Sequence, residues 1–159
     1  MTPQRPCRQQ GFTLIEALIV VALVGVFLSI AVPSFVNFTA SQRVKTASFE
    51  FYAALSFARS EAIKRRQPVT VAPVGGNWAS GWTVSVGGTP LRNQDSLSGV
   101  LMTGAASVVY RLDGRLTSGS AIGVLIKPES TSAAVSNRCI RIDLTGVPKS
   151  ITTTGTTCP

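Results

Sequence analysis

An almost unbroken apolar run near the N-terminus, residues 12 to 30, limits most strongly what this chain can fold into; it reads FTLIEALIVVALVGVFLSI. As a helix, its 19 residues would be about 28 Å long at roughly 1.5 Å per residue. That length matches the hydrocarbon core of a bilayer, which is about 30 Å thick. The run therefore predicts a membrane-spanning helix.

A cleaved secretory signal peptide is the alternative interpretation of this run. Ser29-Ile30-Ala31 resembles a small-x-small cleavage site, and Arg5 and Arg8 would supply the basic region ahead of it. However, the apolar part of a signal peptide is typically about 7 to 15 residues long and carries no acid. This run is longer and contains Glu16, so we favour a helix that stays in the chain.

Glu16 is the one acidic residue in the run. A carboxylate costs a few kcal/mol in the middle of a membrane and less near the end of a span, where it reaches the interface. One explanation is that Glu16 complements the partial positive charge at the start of a helix. The other is that the chain is cut after Gly11, and Glu16 then pairs with the new amine of Phe12 in its own or a neighbouring chain.

A second helical pattern follows the apolar run. Small and apolar residues recur at spacings of three and four, which is typical of a helix with one buried face; they are Val44, Ala47, Phe51, Leu55, Ala58 and Ala62. Charged residues are predicted on the other side: Arg43, Lys45, Glu50, Arg59, Glu61, Lys64 and Arg65. We expect one helix from Phe12 to Arg65, kinked at Pro33 and ended before Pro68.

From Pro68 onward, short runs rich in Val and Thr alternate with turn residues, which is typical of strands. We predict strands in residues 68–74, 81–88, 121–128 and 139–146. A hairpin is predicted in 107–119, with Asp113-Gly114 as a two-residue type I′ turn between the strand residues Val108, Tyr110 and Leu112 and the returning Leu116. In the last strand we expect Ile140, Ile142 and Leu144 to face inward. The predicted fold class is α+β, a long N-terminal helix packed on an antiparallel β-sheet.

The first part of the chain resembles a known family of filament proteins. GFTLIEALIVVALVGVFLSIAVP is similar to the class III leader and N-terminal helix of type IV pilins and type II secretion pseudopilins. The resemblance implies that a prepilin peptidase cleaves after Gly11 and methylates the amine of Phe12. Glu16, the fifth residue after the cut, would register one subunit against the next, and Pro33 would be the twenty-second. Gly11 and Phe12 are thus the expected processing residues, and Glu16 and Pro33 the expected assembly residues.

The later part resembles the GspH/FimT-type minor pilin domain. The similar stretches are FYAALSFARSEAIKRRQPVTV, NWASGW, RLDGRLT and CIRIDLTGVPKSITTTGTTCP. Together the two resemblances imply four segments: a leader (1–11), a transmembrane and assembly helix (12–33), an amphipathic continuation (34–66) and a periplasmic antiparallel β domain (67–159).

The implied function is that of a minor pilin or pseudopilin, a structural subunit of a type IV pilus or a type II secretion system. The resemblance implies a single-pass inner-membrane protein that joins a filament. Its expected partners are other minor and major pilins or pseudopilins, the prepilin peptidase and the inner membrane. The sequence does not separate a pilus from a secretion system.

Two of the three cysteines remain once the leader is removed. Cys7 lies in the leader, which leaves Cys139 and Cys158 as a pair. A disulfide between them would stabilise the fold by roughly 3 kcal/mol in the chain-entropy model and would indicate an oxidising compartment such as the periplasm. Two reduced, buried thiols are the alternative.

The net charge of +8 raises the question of an anionic partner. Some FimT-type minor pilins bind DNA during natural transformation through a Gly-Arg-x-Arg stretch between their two cysteines. Gly146-Val147-Pro148-Lys149 stands there in this chain, with one basic residue that lacks the bidentate fork of arginine. The alternative function is therefore a DNA receptor, with Lys149, Arg141 and Arg138 as the candidate DNA-binding residues. Helix capping and solubility also account for the charge.

Enzymatic function is not expected. The chain has no histidine, so a Ser-His or Cys-His pair is excluded. Ser60 and Lys64 are one residue too far apart for the S-x-x-K motif. Without histidine or a C-x-x-C motif, we also predict no metal site and no cofactor.

Overall fold

The computed structural model describes residues 13–130 and 134–158, apart from the side chains of residues 30 and 33. One long helix, α1, comprises Leu14–Arg65. Its first turn is capped by Thr13, whose Oγ1 accepts a hydrogen bond of 3.3 Å from the backbone N–H of Glu16.

Helix α1 ends where the sequence predicts. Arg66 has the left-handed φ of 52°, a conformation typical of the residue that follows a helix, and Pro68 cannot continue the helical hydrogen bonds. The predicted first helical residue, Phe12, lies outside the described residues. The backbone is helical on both sides of residue 33, and the kink at Pro33 stays a prediction.

The chain divides into two compact units between Val36 and Asn37. In the described part, the first unit is the apolar half of α1. The second unit contains the rest of α1 and all the strands, and we call it the β domain (residues 37–159).

In the described residues, eight strands follow α1. They are β1 Val69–Pro73, β2 Trp82–Val86, β3 Thr89–Gln94, β4 Val100–Gly104, β5 Val108–Tyr110, β6 Ile122–Pro128, β7 Asn137–Ile142 and β8 Pro148–Thr153. Two single 3₁₀ turns, Val74–Gly76 and Trp78–Ser80, connect β1 to β2.

The strands form two antiparallel sheets of four strands each, where the sequence predicted one. The first sheet has the order β3-β2-β1-β5 and the second β4-β6-β7-β8. The chain leaves the first sheet for β4, returns for β5, and then completes the second sheet. The predicted α+β class with antiparallel strands is confirmed.

The predicted strands at 68–74, 81–88, 121–128 and 139–146 correspond to β1, β2, β6 and β7. Three strands were missed: β3, β4 and β8. Strands β3 and β8 lie at sheet edges and are mostly exposed, so their sequences lack a regular apolar alternation.

The hairpin around residue 113 exists, but the predicted turn type is wrong. A type I′ turn needs positive φ at both central residues, and Asp113 is not among the described residues with positive φ. Instead, the N–H of Gly114 donates to Arg111 O and the N–H of Arg111 donates to Arg115 O, each over 2.8 Å. Gly114, at φ 74°, therefore closes a three-residue loop. Leu112, predicted in the strand before the turn, lies in this loop instead and is 54% exposed.

The predicted alternation in β7 holds for Ile140 and Ile142, which are buried. It fails at Leu144, which is 53% exposed. The strand ends at Ile142, and the N–H of Gly146 donates to Asp143 O over 2.8 Å to form the turn that leads into β8. Leu144 occupies the middle of this turn and has left the sheet.

The predicted buried face of α1 is confirmed. All six of its residues are buried and share one hydrophobic core with residues of both sheets. Glu61 corrects the assignment of the opposite face, because its side chain is only 11% exposed at the margin of the core. It pairs with the guanidinium of Arg65, one turn further along α1.

Aromatic contacts join the centre of α1 to the first sheet and the turn before it. The ring of Phe51 lies edge to face against Trp78 at 5.0 Å and against Trp82 at 5.2 Å between ring centroids. The indole N–H of Trp78 donates to Ala105 O over 2.8 Å, so its polar atom is satisfied. Phe51 thus joins α1 to strand β2 and to the 3₁₀ turn Trp78–Ser80.

Candidate functional site

In the part that the structure describes, the first unit is an apolar helix whose large side chains are exposed. One helix in the described part of the chain is long and apolar enough to cross a membrane, with a window of mean hydropathy 2.7 that is 0% buried. The side chains nearest its start are all exposed: Leu14, Ile15, Leu18, Ile19 and Val20. Such a surface needs lipid or other apolar helices around it.

Glu16 lies in the first turn of this helix, where the partial positive charge of the helix is concentrated. Thr13 and Glu16 match the Thr-x-x-Glu signature of a helix start, which the sequence interpretation missed. Gly11 and Phe12 lie outside the described residues. The pairing of Glu16 with the amine of Phe12 therefore stays a prediction.

The two cysteines of the β domain form a disulfide. Cys139 lies in the buried middle of β7, and Cys158 brings the C-terminal segment back to this sheet. Gly123 on β6 makes room for the link, since a Cβ there would lie 2.7 Å from Cys158 Sγ. The disulfide thus fastens the last segment over β6 and β7.

Two of the three candidate DNA-binding residues lie together. Arg141 and Lys149 are cross-strand partners on β7 and β8. Lys149 Nζ lies 2.7 Å from Asp143 Oδ2, and this hydrogen bond holds the pKa of the Asp143 carboxyl below its ordinary value. The lysine charge is therefore already compensated within the chain.

Arg138 does not join this pair. It is three residues before Arg141 on the same strand, so the two side chains point to opposite faces. Arg138 Nη1 donates to Ser150 Oγ over 3.3 Å, and Ser150 Oγ lies 3.3 Å from Ser48 Oγ on α1. The fold therefore does not gather the three candidate residues into one surface, and DNA binding stays a prediction from the resemblance.

Arg59 is a structural residue that the sequence interpretation placed only on the polar face. Its Nε donates to Gly114 O over 3.1 Å, and its Nη2 lies 3.5 Å from Thr145 O. It therefore ties α1 to the turn after β5 and to the turn after β7. The hydroxyl of Tyr110 is buried nearby without a hydrogen-bond partner in the described structure, and burial raises its pKa.

These two turns also touch each other. A Cβ at Gly146 would clash with the carbonyl oxygen of Gly114 and would lie 3.2 Å from Tyr110 Cε1. Gly146 has φ 78°, a conformation that also disfavours other residues. The end of α1, the turn after β5 and the turn after β7 thus form one compact end of the β domain.

Comparison with known proteins gives the same assignment for both parts of the chain. Residues 6–32 match the family described as Prokaryotic N-terminal methylation motif. Residues 47–146 match the family described as Type II transport protein GspH, which covers more than half of the 159 residues. The chain belongs to the GspH family. The predicted resemblance is confirmed, and the family and fold are those of structural pilins and pseudopilins.

Curated relatives of this GspH-family chain include fimbrial proteins. Two fimbrial proteins of Pseudomonas aeruginosa are each 39% identical over 64 residues, which is 40% of this chain and 42% of theirs. The chain thus spans less than half the length of these relatives. A type IV major fimbrial protein FimA of Dichelobacter nodosus is 31% identical over 117 residues, or 69% of this chain and 66% of its own length.

Solved structures have the same fold. The type IV minor pilin FimU of Pseudomonas aeruginosa matches with a TM-score of 0.62 at 21% identity, covering 70% of this chain and 90% of that one. The minor pseudopilin EpsH from the Type 2 Secretion System of Vibrio cholerae matches with a TM-score of 0.55 at 16% identity, covering 69% and 97%. The pilin-like fold class is therefore confirmed.

Proposed function

We propose that this protein is a minor pilin or pseudopilin, a non-enzymatic subunit of a type IV pilus or a type II secretion filament. One observation carries the proposal: the same chain joins an N-terminal methylation motif, at residues 6–32, to a GspH domain at residues 47–146. The exposed apolar helix between Leu14 and Val36 supplies a surface that only lipid or other helices satisfy.

Processing comes first in this proposal. The prepilin peptidase removes the leader, residues 1–11, by cutting after Gly11, and it methylates the amine of Phe12. The new amine lies four residues before Glu16 in the sequence. The positive end of a helix repels a cation at this position, and the Glu16 carboxylate offsets this repulsion.

Anchoring follows from the apolar helix. Residues 12–33 hold the protein in the inner membrane, residues 34–66 continue the helix, and residues 67–159 lie in the periplasm. The Cys139–Cys158 disulfide supports a periplasmic location, because disulfides persist in oxidising compartments.

Assembly transfers the same helix from lipid to a bundle of similar helices. Leu14, Ile15 and Leu18 exchange contacts with lipid for contacts with neighbouring subunits. The attraction between Glu16 and the Phe12 amine of a neighbour fixes the register, because a one-turn slip would leave the carboxylate unpaired in an apolar surrounding. Other minor and major pilins or pseudopilins are the partners.

Deleting the gene and scoring twitching, protein secretion and transformation in parallel tests this function. We expect loss of twitching for a pilus subunit, or loss of secretion for a pseudopilin, and rescue by the unaltered chain. A Glu16→Ala chain should rescue poorly and should be depleted from purified filaments, whereas an Ala22→Val chain, altered on the same helix without a charge change, should rescue well. Normal twitching and secretion in the deletion strain would refute the proposal.

A further inference from the structure

The basic charge of the β domain is concentrated at the end where α1 stops. Val69 and Tyr110 are cross-strand partners in an antiparallel pair, so Arg111 lies opposite Pro68. Pro68 comes two residues after Arg66, so Arg66 and Arg111 lie at the same end of the sheet. Arg115 lies next to Arg111, whose N–H donates to its carbonyl oxygen over 2.8 Å. Three arginines from two parts of the sequence, the end of α1 and the turn after β5, thus lie at one end.

These three arginines are exposed, and no acidic side chain in the described structure forms an ion pair with them. The three acids at the same end already have partners. Glu61 pairs with Arg65, Asp143 pairs with Lys149, and Asp113 Oδ1 accepts the backbone N–H of Arg115 over 3.1 Å. The end therefore keeps a positive excess that the chain itself does not neutralise.

Exposed apolar side chains lie between these charges. Leu112, between the arginines of the turn after β5, is 54% exposed, and Leu144 in the adjoining turn is 53% exposed. Ile63 on α1 is 48% exposed and contacts this turn, since a Cβ at Gly114 would lie 2.7 Å from Ile63 Cδ1. We call these six residues the end patch: Ile63, Arg66, Arg111, Leu112, Arg115 and Leu144.

We infer that the end patch is a docking surface for another protein that presents carboxylates around an apolar centre. Arginines that surround exposed leucines have the composition of a protein interface, in which apolar side chains are buried at the centre and charged ones fix orientation. The end patch lies within the second unit and includes none of Arg138, Arg141 and Lys149.

Two other occupants fit the patch less well. A second copy has the same excess of basic over acidic residues, so two copies repel each other, and it offers only seven acidic residues in all. Duplex DNA would satisfy the arginines, but its phosphates would leave Leu112 and Leu144 without an apolar contact.

Site-specific photo-cross-linking tests this inference in cells that produce the full chain. Benzoylphenylalanine replaces Leu112, and the cross-linked peptide of the partner is identified by mass spectrometry. We expect an adduct with a different protein, joined at a segment that contains Asp or Glu. The same photoreactive residue at Thr89, the exposed first residue of β3, should not give this adduct.

Charge reversal shows whether the arginines carry the contact. In the chain with benzoylphenylalanine at Leu112, Arg111→Glu together with Arg115→Glu should lower the adduct yield about tenfold or more. Arg92→Glu, the same change at an exposed arginine on β3, should leave it unchanged. In isolated membranes, a higher salt concentration should lower the adduct yield of the chain that retains Arg111 and Arg115. This measurement tests the arginines even if the double variant fails to fold.

Four results would overturn the inference. Three of them come from the cross-linking: no protein adduct at Leu112, an adduct with a second copy, or an adduct yield that neither charge reversal nor salt changes. The fourth is that the detergent-solubilised chain shifts the mobility of duplex DNA and that Arg111→Glu/Arg115→Glu abolishes this shift. The last result would assign the patch to DNA. Because none of these outcomes depends on twitching or secretion, the inference and the proposed function fail separately.

Discussion

Arg59 Nε donates a hydrogen bond to the carbonyl oxygen of Gly114 over 3.1 Å, although 55 positions separate the two residues in the sequence. The bond joins the last part of α1 to the turn after β5, at the point where this turn also contacts the turn after β7. Gly114 is buried, so its carbonyl oxygen has little access to water as an alternative donor.

Removing this contact should weaken the β domain. We expect Arg59→Ala to lower the free energy of unfolding of the fragment 37–159 by about 1–3 kcal/mol, the usual cost of losing a hydrogen bond from a charged donor. Urea unfolding followed by circular dichroism measures the difference. Arg92→Ala, at an exposed position on β3, is the matched control and should change stability by less than about 0.5 kcal/mol. Equal effects of the two substitutions would contradict the role of Arg59.

Phe51 and Phe49 test the buried face of α1 with two phenylalanines two residues apart. Phe51 is fully buried against Trp78 and Trp82, whereas Phe49 is 72% exposed. Phe51→Ala should cost about 3–5 kcal/mol and change the tryptophan fluorescence, because it leaves a cavity beside both indoles. Phe49→Ala should cost little in the isolated β domain. A larger loss from Phe49→Ala would mean that the helix is rotated from the position described.

The disulfide should contribute measurably to stability. Cys139 and Cys158 are 19 positions apart, and a closed loop of this size stabilises by roughly 3 kcal/mol in the chain-entropy model. We expect dithiothreitol to lower the melting temperature of the fragment 37–159. The same reagent should have no effect on a Cys139→Ser/Cys158→Ser variant, which should melt at the lower temperature throughout. Identical melting of oxidised and reduced protein would show that the link is not important for folding.

Acid should weaken the β domain partly through Glu61. The hydrogen bond from Arg65 holds the pKa of Glu61 below its ordinary value of 4.5. Because the folded pKa is the lower one, this stabilisation is complete above the unfolded pKa and is lost as the pH falls through the folded pKa. Glu61→Gln should therefore lower the melting temperature at about pH 7 and reduce its further fall toward about pH 3.

Glu129→Gln is the matched control for this pH experiment, since Glu129 is an exposed glutamate after β6. We expect its melting temperature to follow that of the unaltered fragment over the whole pH range. If Glu61→Gln and Glu129→Gln gave the same pH profile, the pairing of Glu61 with Arg65 would have no part in acid unfolding.

Local patterns predicted the parts of this fold that depend on neighbours in the sequence. The spacing of Val44, Phe51 and Leu55 is enough to identify the buried face of α1, since a helix places residues three and four apart on one side. The buried strands β1, β2, β6 and β7 were found for a similar reason, because Val, Ile or Leu alternates with other residues in β1, β2 and β7 and forms a short run in β6.

Features that depend on distant pairing were not predicted. Nothing near Val100 or Val108 indicates that β4 joins the second sheet and β5 the first, since their partners are β6 and β1. Leu112 and Leu144 continue an apolar alternation in the sequence, but turns that end the strands before them leave both exposed. The end patch could not have been found from sequence for the same reason: Arg66 and Arg111 meet only through the pairing of β1 with β5.

Intact-mass spectrometry of the chain extracted from cell membranes tests the central claim most directly. The account predicts a polypeptide that lacks residues 1–11 and begins at Phe12 with a methylated amine. A Gly11→Val variant, in which the residue before the cut is bulkier, should keep the leader and provide the reference mass. Unaltered protein that still carries residues 1–11 would contradict the account, because Glu16 would then have no new amine to pair with.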